Sequence, residues 1–302
     1  MKYKDWLNEW LEYYVKPTKK DRTYCKYKRI AINHIYDVLG EYELDELSAP
    51  ILQRFVAKLT DKYSSNTVMG VIAVIKNSLV VAQNTGIVEK QFSAAIQRPK
   101  AVEKDIECFS VSEQKAIERY VMDSKKDKLF GVVLCLYTGL RIGELLALEW
   151  DDINLSEGII KVSKTCYDGW ENGQYRKFIG EPKTDSSRRT IPFPRQLLPC
   201  LKALKKRSKS KYFIAGKNGE EVSVRSYQKS FELLLKKLKI PRHGFHSLRH
   251  TFATRALECG MDVKTLSEIL GHKNPTITLN RYAHSLMEHK SAMMNKLGKI
   301  FQ

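Results

Sequence analysis

The sequence predicts a mainly α-helical protein with a small antiparallel β-sheet, in which a helical N-terminal domain precedes a mixed α/β domain. Three observations predict it. Apolar residues recur at helical spacing through the first hundred residues. Between Gly158 and Phe193 the pattern changes to β-branched runs of strand length with a turn signal, Asn172-Gly173. Between these regions the segment QRPKAVEKDIECF is polar, carries a proline and lacks helical period. The expected division is a helical domain at 1–97, a linker at 98–109, and a second domain with a C-terminal tail helix at 110–302.

Four helices account for the first domain. Trp6, Leu7, Trp10, Leu11 and Tyr14 form one apolar stripe, and Tyr27, Ile30, Ile32, Ile35 and Val38 form a second, both expected to face the core. A third helix runs from Ala49 to Tyr63 with Pro50 in its first turn, and a fourth from Ser65 to Asn84, closed by Gly86. The second domain opens at Ser110 with a capping-box pattern ahead of a helix through Val121. An apolar helix follows over Lys126 to Thr138, and TGLRIGELLALEW begins another. Strands are expected at Gly158 to Thr165 and Arg189 to Phe193, with a hairpin between them. Helices return at Val224 to Leu238, Ser247 to Glu258, Val263 to Leu270 and Ile277 to Tyr282, with an amphipathic tail over Leu286 to Ile300. In that tail Met287, Met294, Leu297, Ile300 and Phe301 make an apolar stripe.

With 43% hydrophobic and 28% charged residues, the composition is that of a globular protein and excludes disorder and collagen. No run of about 20 apolar residues is expected to cross a membrane. Nor does MKYKDWLNEW resemble a signal peptide, because charges interrupt it. Six scattered cysteines without a C-x-x-C pair point to reduced thiols in the cytoplasm rather than a zinc site. The formal charge of +18 points to a polyanionic partner. Residues 1–100, 101–200 and 201–302 carry +5, −1 and +14. A weaker basic face lies near the N-terminus, where Lys19, Lys20, Arg22, Lys26, Lys28, Arg29 and Lys76 are candidate nucleic-acid contacts.

Sequence patterns for phosphate loops, dinucleotide folds, zinc proteases and serine hydrolases do not occur. What could do chemistry is a set of basic residues with one tyrosine. Arg141 lies at a helix start, where guanidinium and backbone amides together suit a phosphate, or where Glu144 provides an ion-pair partner. His246 and Arg249, three apart in HSLRHTFAT, share a helix face. Lys183 follows the hairpin, His272 follows a glycine at a helix end, and Tyr282 comes ten residues later. Singly these fit a turn lysine, a capping histidine and a packed tyrosine.

In order, Arg141, Lys183, His246, Arg249, His272 and Tyr282 resemble the active-site set of the tyrosine recombinases, or phage integrases. The resemblance spans the second domain through TGLRIGELLALEWDDI, PKTDSSRRTIP, HSLRHTFATRALECGMDVKTLSEILGH and TLNRYAH. The four-helix segment is similar to that family's core-binding domain. Within the family the pattern resembles integrases of phages and integrative conjugative elements, because the insert from Ser163 to Gly180 is longer than in the compact Xer type. Many such integrases begin with an arm-type DNA-binding domain, and here the first core-binding helix starts almost at Met1.

The resemblance implies a clamp around duplex DNA and cleavage through a 3′-phosphotyrosyl link, with no cofactor and no metal. It assigns Tyr282 as nucleophile, Arg141 and Arg249 as phosphate forks, His246 as base, His272 as donor to a non-bridging oxygen and Lys183 as acid. It further implies a DNA-bound homotetramer formed from free monomers, a tail that docks on a neighbouring protomer, and a directionality factor or host DNA-bending protein. The expected location is the bacterial cytoplasm, at the nucleoid, without a membrane partner. A type IB-like topoisomerase and a non-catalytic DNA-binding regulator are the competing functions, and Tyr282 argues against the second.

Overall fold

The computed structural model describes residues 1–302 except 90–94, 101–106, 125, 172–173, 183–186, 217, 283–293, 296 and 300–302. At Trp170, Glu171, Gln174, Tyr175 and 280–282 it describes the backbone alone. The chain forms two compact units, Met1–Lys104 and Asp105–Gln302.

In the first unit α1 (Tyr3–Glu9) runs on as a π-helical turn, Trp10–Val15, and α2 (Asp21–Ile30) does the same through Ala31–Ile35 into α3 (Tyr36–Leu39). Then come α4 (Ala49–Thr60) and α5 (Ser65–Asn84). Burial of Tyr3, Trp6, Leu7, Trp10 and Leu11 seats the first stripe in the core. Two polar contacts tie it to α5: the Tyr3 hydroxyl lies 2.9 Å from Ser78 Oγ, and Trp6 Nε1 donates to the Ser78 carbonyl at 3.1 Å. Tyr14, by contrast, is exposed. The second stripe also departs from expectation. The π turn adds a residue to the ladder and rephases the helix, so Ala31, Ile35 and Leu39 are buried while Ile32 and Val38 are 47% and 50% exposed.

Helix α5 corrects the membrane expectation, since by length and composition it is apolar enough to cross a bilayer. Its apolar face is a core face: Val68, Val71, Ile72, Val74, Ile75, Leu79 and Ala82 are buried among the other helices of this unit. Ser64 caps its start, accepting from the Thr67 amide, and Gly86 takes φ 75° beyond its end.

The second unit begins with α6 (Val111–Asp123), where the predicted capping box forms: Ser110 Oγ accepts from the Glu113 amide at 3.2 Å and Glu113 Oε2 from the Ser110 amide at 2.8 Å. Next come α7 (Phe130–Thr138) and α8 (Ile142–Ala147). Strands β1 (Ile153–Asn154), β2 (Ile159–Val162) and β5 (Arg189–Pro192) make an antiparallel sheet in the order β1-β2-β5, with Ile160 opposite Ile191. Between β2 and β5 the hairpin β3 (Thr165–Glu171) and β4 (Gln174–Gly180) forms its own ladder. Its Asn172-Gly173 turn lies outside the described residues. Contacts with α8 and α10 (Val224–Lys237) hold the hairpin, among them Lys177 Nζ donating to the Leu146 carbonyl at 2.8 Å. Asp168 accepts from the Val224 and Arg225 amides at the start of α10, at 3.0 and 2.9 Å. Gly143 of α8 lies so close to β3 that a Cβ there would sit 2.5 Å from the Cys166 carbonyl oxygen.

A helix absent from the sequence expectations, α9 (Leu198–Arg207), follows β5 and buries Leu201 and Leu204. Then α10 buries Tyr227, Phe231, Leu234 and Leu235. After it come α11 (His246–Glu258), α12 (Val263–Leu270) and α13 (Pro275–Tyr282). α7 is apolar on all sides and buried almost throughout, which makes it the centre of this core, with α11 packed against it. Most of the expected tail helix lies outside the described residues, but Met294 and Leu297 are described and exposed.

Candidate active site

Two chain reversals bring the candidate residues together. At the end of α7, Gly139 adopts φ 65°, and two residues later Arg141 becomes the N-cap of α8. At the end of α12, Gly271 also adopts φ 65°, a left-handed conformation that costs glycine little. It presents the Ile269, Leu270 and Gly271 carbonyls and the His272 ring to the arginines described below.

Arg141 pairs with Glu144 as its sequence position allowed. Nη1 donates to Oε1 at 2.7 Å, the Arg141 amide donates to Oε2 at 3.0 Å, and Nη2 donates to the Gly271 carbonyl at 3.3 Å. Glu144 is almost fully buried and holds a second arginine that sequence reasoning missed. Arg189 of β5 donates from Nη2 to Oε2 at 2.8 Å and from Nη1 to Oε1 at 3.1 Å. The same guanidinium reaches the Ile269 carbonyl at 2.5 Å through Nε and the Ser187 carbonyl at 3.1 Å through Nη1. Burial would raise the Glu144 pKa, but Arg189 first and Arg141 second outweigh it and hold the carboxyl down to about 2. The signal available in sequence was an arginine inside a strand-length run, RTIP, opposite a position that proves buried, Val162.

Arg249 is 2% exposed, on the first turn of α11. It donates from Nη1 to the Gly139 carbonyl at 2.8 Å, and from Nη2 to the Leu270 carbonyl at 2.7 Å and His272 Nε2 at 2.9 Å. His272 in turn has Nδ1 2.7 Å from Thr278 Oγ1. The structure thus gathers Arg141, Arg249 and His272 around one turn, with Arg189 and Glu144 behind them. His246 lies three residues before Arg249 on α11, its ring edge-on to His250 at 4.6 Å. The Tyr282 backbone ends α13, and Lys183 lies outside the described residues. Among the described residues no group of His, Cys, Asp and Glu is arranged to hold a metal ion.

Three guanidinium groups against one carboxylate leave this turn with excess positive charge in a partly desolvated setting. Such an array suits an anion with several oxygens, because preformed donors need little reorganisation when charge arrives.

In the first unit Lys19 and Lys20 precede α2, and Arg22, Lys26, Lys28 and Arg29 lie on it, all exposed; Lys76 of α5 is half-buried. Lys26 and Arg29, with Asn33, His34, Asn66 and Thr67, line a cleft of about 270 Å³ between α2 and α5. The other four lysines and Arg22 do not line it.

Residues 111–289 match the phage integrase family, and residues 2–60 match the phage integrase N-terminal SAM-like domain. A XerC-like tyrosine recombinase of Caldanaerobacter subterraneus subsp. tengcongensis is 30% identical over 98% of this chain and 83% of its own length. The transposase from transposon Tn916 of Enterococcus faecalis is 27% identical over 87% of this chain and 69% of its own. Among solved structures, the Tn1549 transposon integrase in complex with transposon right-end DNA superposes with a TM-score of 0.84. It is 23% identical, covering 99% of this chain and 100% of that one.

Proposed function

The chain belongs to the phage integrase family of tyrosine recombinases, and from that premise we propose how its residues cut and rejoin DNA. It is a site-specific recombinase, an enzyme of DNA strand transfer that serves the integration of mobile elements. The convergence of Arg141, Arg249 and His272 on the Leu270–His272 turn is the observation that carries the assignment of residues.

In this reading the scissile phosphate of duplex DNA enters beside that turn. Arg249 exchanges its bond to His272 for bonds to non-bridging oxygens, and Arg141 donates alongside it. Once Arg249 leaves Nε2, His272 takes up a proton there from solvent and donates to a non-bridging oxygen. His246 takes the phenolic proton of Tyr282, whose oxygen attacks phosphorus. The bond to the 5′ oxygen breaks, and Lys183 supplies the proton that the leaving oxygen needs. The 3′-phosphotyrosyl link keeps one phosphoester for each one broken, so a 5′ hydroxyl from another duplex reseals it without an external energy source. Arg189 and Glu144 stay behind the reacting groups as the frame for Arg141.

Two duplexes present four strands, and each chain carries one candidate nucleophile. That stoichiometry supports a homotetramer on DNA assembled from monomers, with the tail after Tyr282 docking on a neighbouring protomer. A directionality factor or a host DNA-bending protein would set the direction of exchange, in the cytoplasm at the nucleoid. Lys19, Lys20, Arg22, Lys26, Lys28, Arg29 and Lys76 serve as DNA contacts; Lys26 and Arg29, exposed cations beside a polar cleft, suit phosphates best.

The test uses nicked duplexes selected from a random-sequence pool for covalent capture by the wild-type chain. A protein–DNA adduct on a denaturing gel that disappears in Tyr282→Phe supports the assignment; an adduct that survives places the nucleophile elsewhere.

A further inference from the structure

Two contacts of the His272 ring bear on where its hydrogen lies. Arg249 Nη2 is 2.9 Å from Nε2, and a guanidinium has no lone pair to offer, so Nε2 accepts. A neutral imidazole whose Nε2 accepts bears its hydrogen on Nδ1. Nδ1 is 2.7 Å from Thr278 Oγ1, so the Nδ1–H donates to the threonine hydroxyl. Thr278 is completely buried and lies on α13, four residues before the helix ends at Tyr282. Its branched side chain has two favoured rotamers in a helix, so the places the hydroxyl can occupy follow the position of the helix.

We propose that Thr278 is a positioning residue for strand cleavage: it holds His272 as the Nδ1–H tautomer with Nε2 turned into the arginine cluster. Because Thr278 rides on the helix that carries Tyr282, the ring takes this orientation only when that helix is seated. One hydrogen bond thereby links the phosphate pocket to delivery of the nucleophile. This rests on the reading of Tyr282 and His272 given above. Shape alone does not account for a threonine here, since valine has nearly the same volume and would fill the buried position without a hydroxyl.

Two measurements on the full chain test it. Ring-nitrogen NMR of isotope-labelled histidine, without DNA, is expected to show His272 as the Nδ1–H tautomer in the wild type and in Thr278→Ser, and as a mixture of tautomers in Thr278→Val, where the ring loses its Nδ1–H acceptor and can turn away from Arg249. A wild-type His272 protonated on Nε2 alone overturns the proposal. In single-turnover cleavage of the selected nicked duplexes, Thr278→Val is expected to slow cleavage by about tenfold or more at unchanged DNA affinity, with Thr278→Ser restoring it. In a His272→Ala background the same change should alter the rate by less than about twofold, because two residues that act through one contact are not additive. Equal rates for Thr278→Val and wild type, or a full additional loss in the His272→Ala background, overturn the proposal alone. Capture that persists in Tyr282→Phe overturns the underlying reading instead. Should Thr278→Val melt early, Thr278→Ala removes the hydroxyl without adding an apolar branch and takes its place.

Discussion

Replacing Arg189 with methionine removes the residue that makes a buried carboxylate tolerable in this fold. Glu144 keeps only Arg141, and the Ile269 and Ser187 carbonyls lose their guanidinium donor. In the intact protein the Glu144 pKa is depressed from 4.5 to about 2. Its contribution is therefore present above the unfolded value and is lost as pH falls through the folded one. At 1.36 kcal/mol per unit that contribution is about 3 kcal/mol near neutrality. Breaking a buried pair from one side costs about 3 to 5 kcal/mol, so the melting midpoint of the second unit should fall on the order of 10 °C. The pH dependence separates this cause from simple loss of packing. With Arg189 gone, burial acts on Glu144 against a single arginine, and the carboxyl protonates at higher pH than in the wild type. Below that point the gap in stability should close by up to about 1.4 kcal/mol per pH unit. Thermal melts of both proteins from pH 7 down to pH 4 measure it. A gap below about 1 kcal/mol, or one that stays constant across that range, refutes the reasoning.

Ser110→Ala removes one half of the capping box on α6 and should cost about 1 kcal/mol in urea unfolding, with no change in the denaturant slope. Gly143→Ala forces α8 away from β3, because the new methyl would meet the Cys166 carbonyl oxygen at 2.5 Å; a loss of about 2 kcal/mol or more and slower cleavage are expected, and wild-type values for both would contradict it. Lys26→Gln with Arg29→Gln should weaken DNA binding and lower the slope of log affinity against log salt by about 2, and an unchanged slope in filter binding would remove these residues from the interface. Deleting the residues after Ser285 should impair recombination more than DNA binding, and equal losses in gel shift and recombination would count against a docking tail.

Much of this architecture was legible because it depends on neighbours in sequence. The capping box at Ser110, the bounds of α5 and α12, and the glycine after Leu270 are consequences of side chains within a few positions of one another. The pairing of Arg141 with Glu144 falls in the same class, since a spacing of three residues on a helix brings the two together. Features that depend on distant packing were less legible. Ile32 and Val38 were expected on the apolar stripe and yet face outward, and the π turn at Ala31–Ile35 shifts the phase so that Ala31, Ile35 and Leu39 are buried instead. α9 buries Leu201 and Leu204, in line with Leu197 just before it, but the basic run around them obscured the stripe.

By itself the sequence determined the fold class, the family and the order of the candidate residues, because helical period, cap chemistry and ordered motifs are carried by the chain's local composition. Only the tertiary structure decided which donors stand together. Arg189 is 45 residues from Glu144 and 80 from Ile269 along the chain, and no periodicity relates them. The basic excess noted at the start is likewise a count until folding places it. Three of its charges become a site because burial of one carboxylate draws two arginines to it, and one glycine turn presents backbone carbonyls to all three.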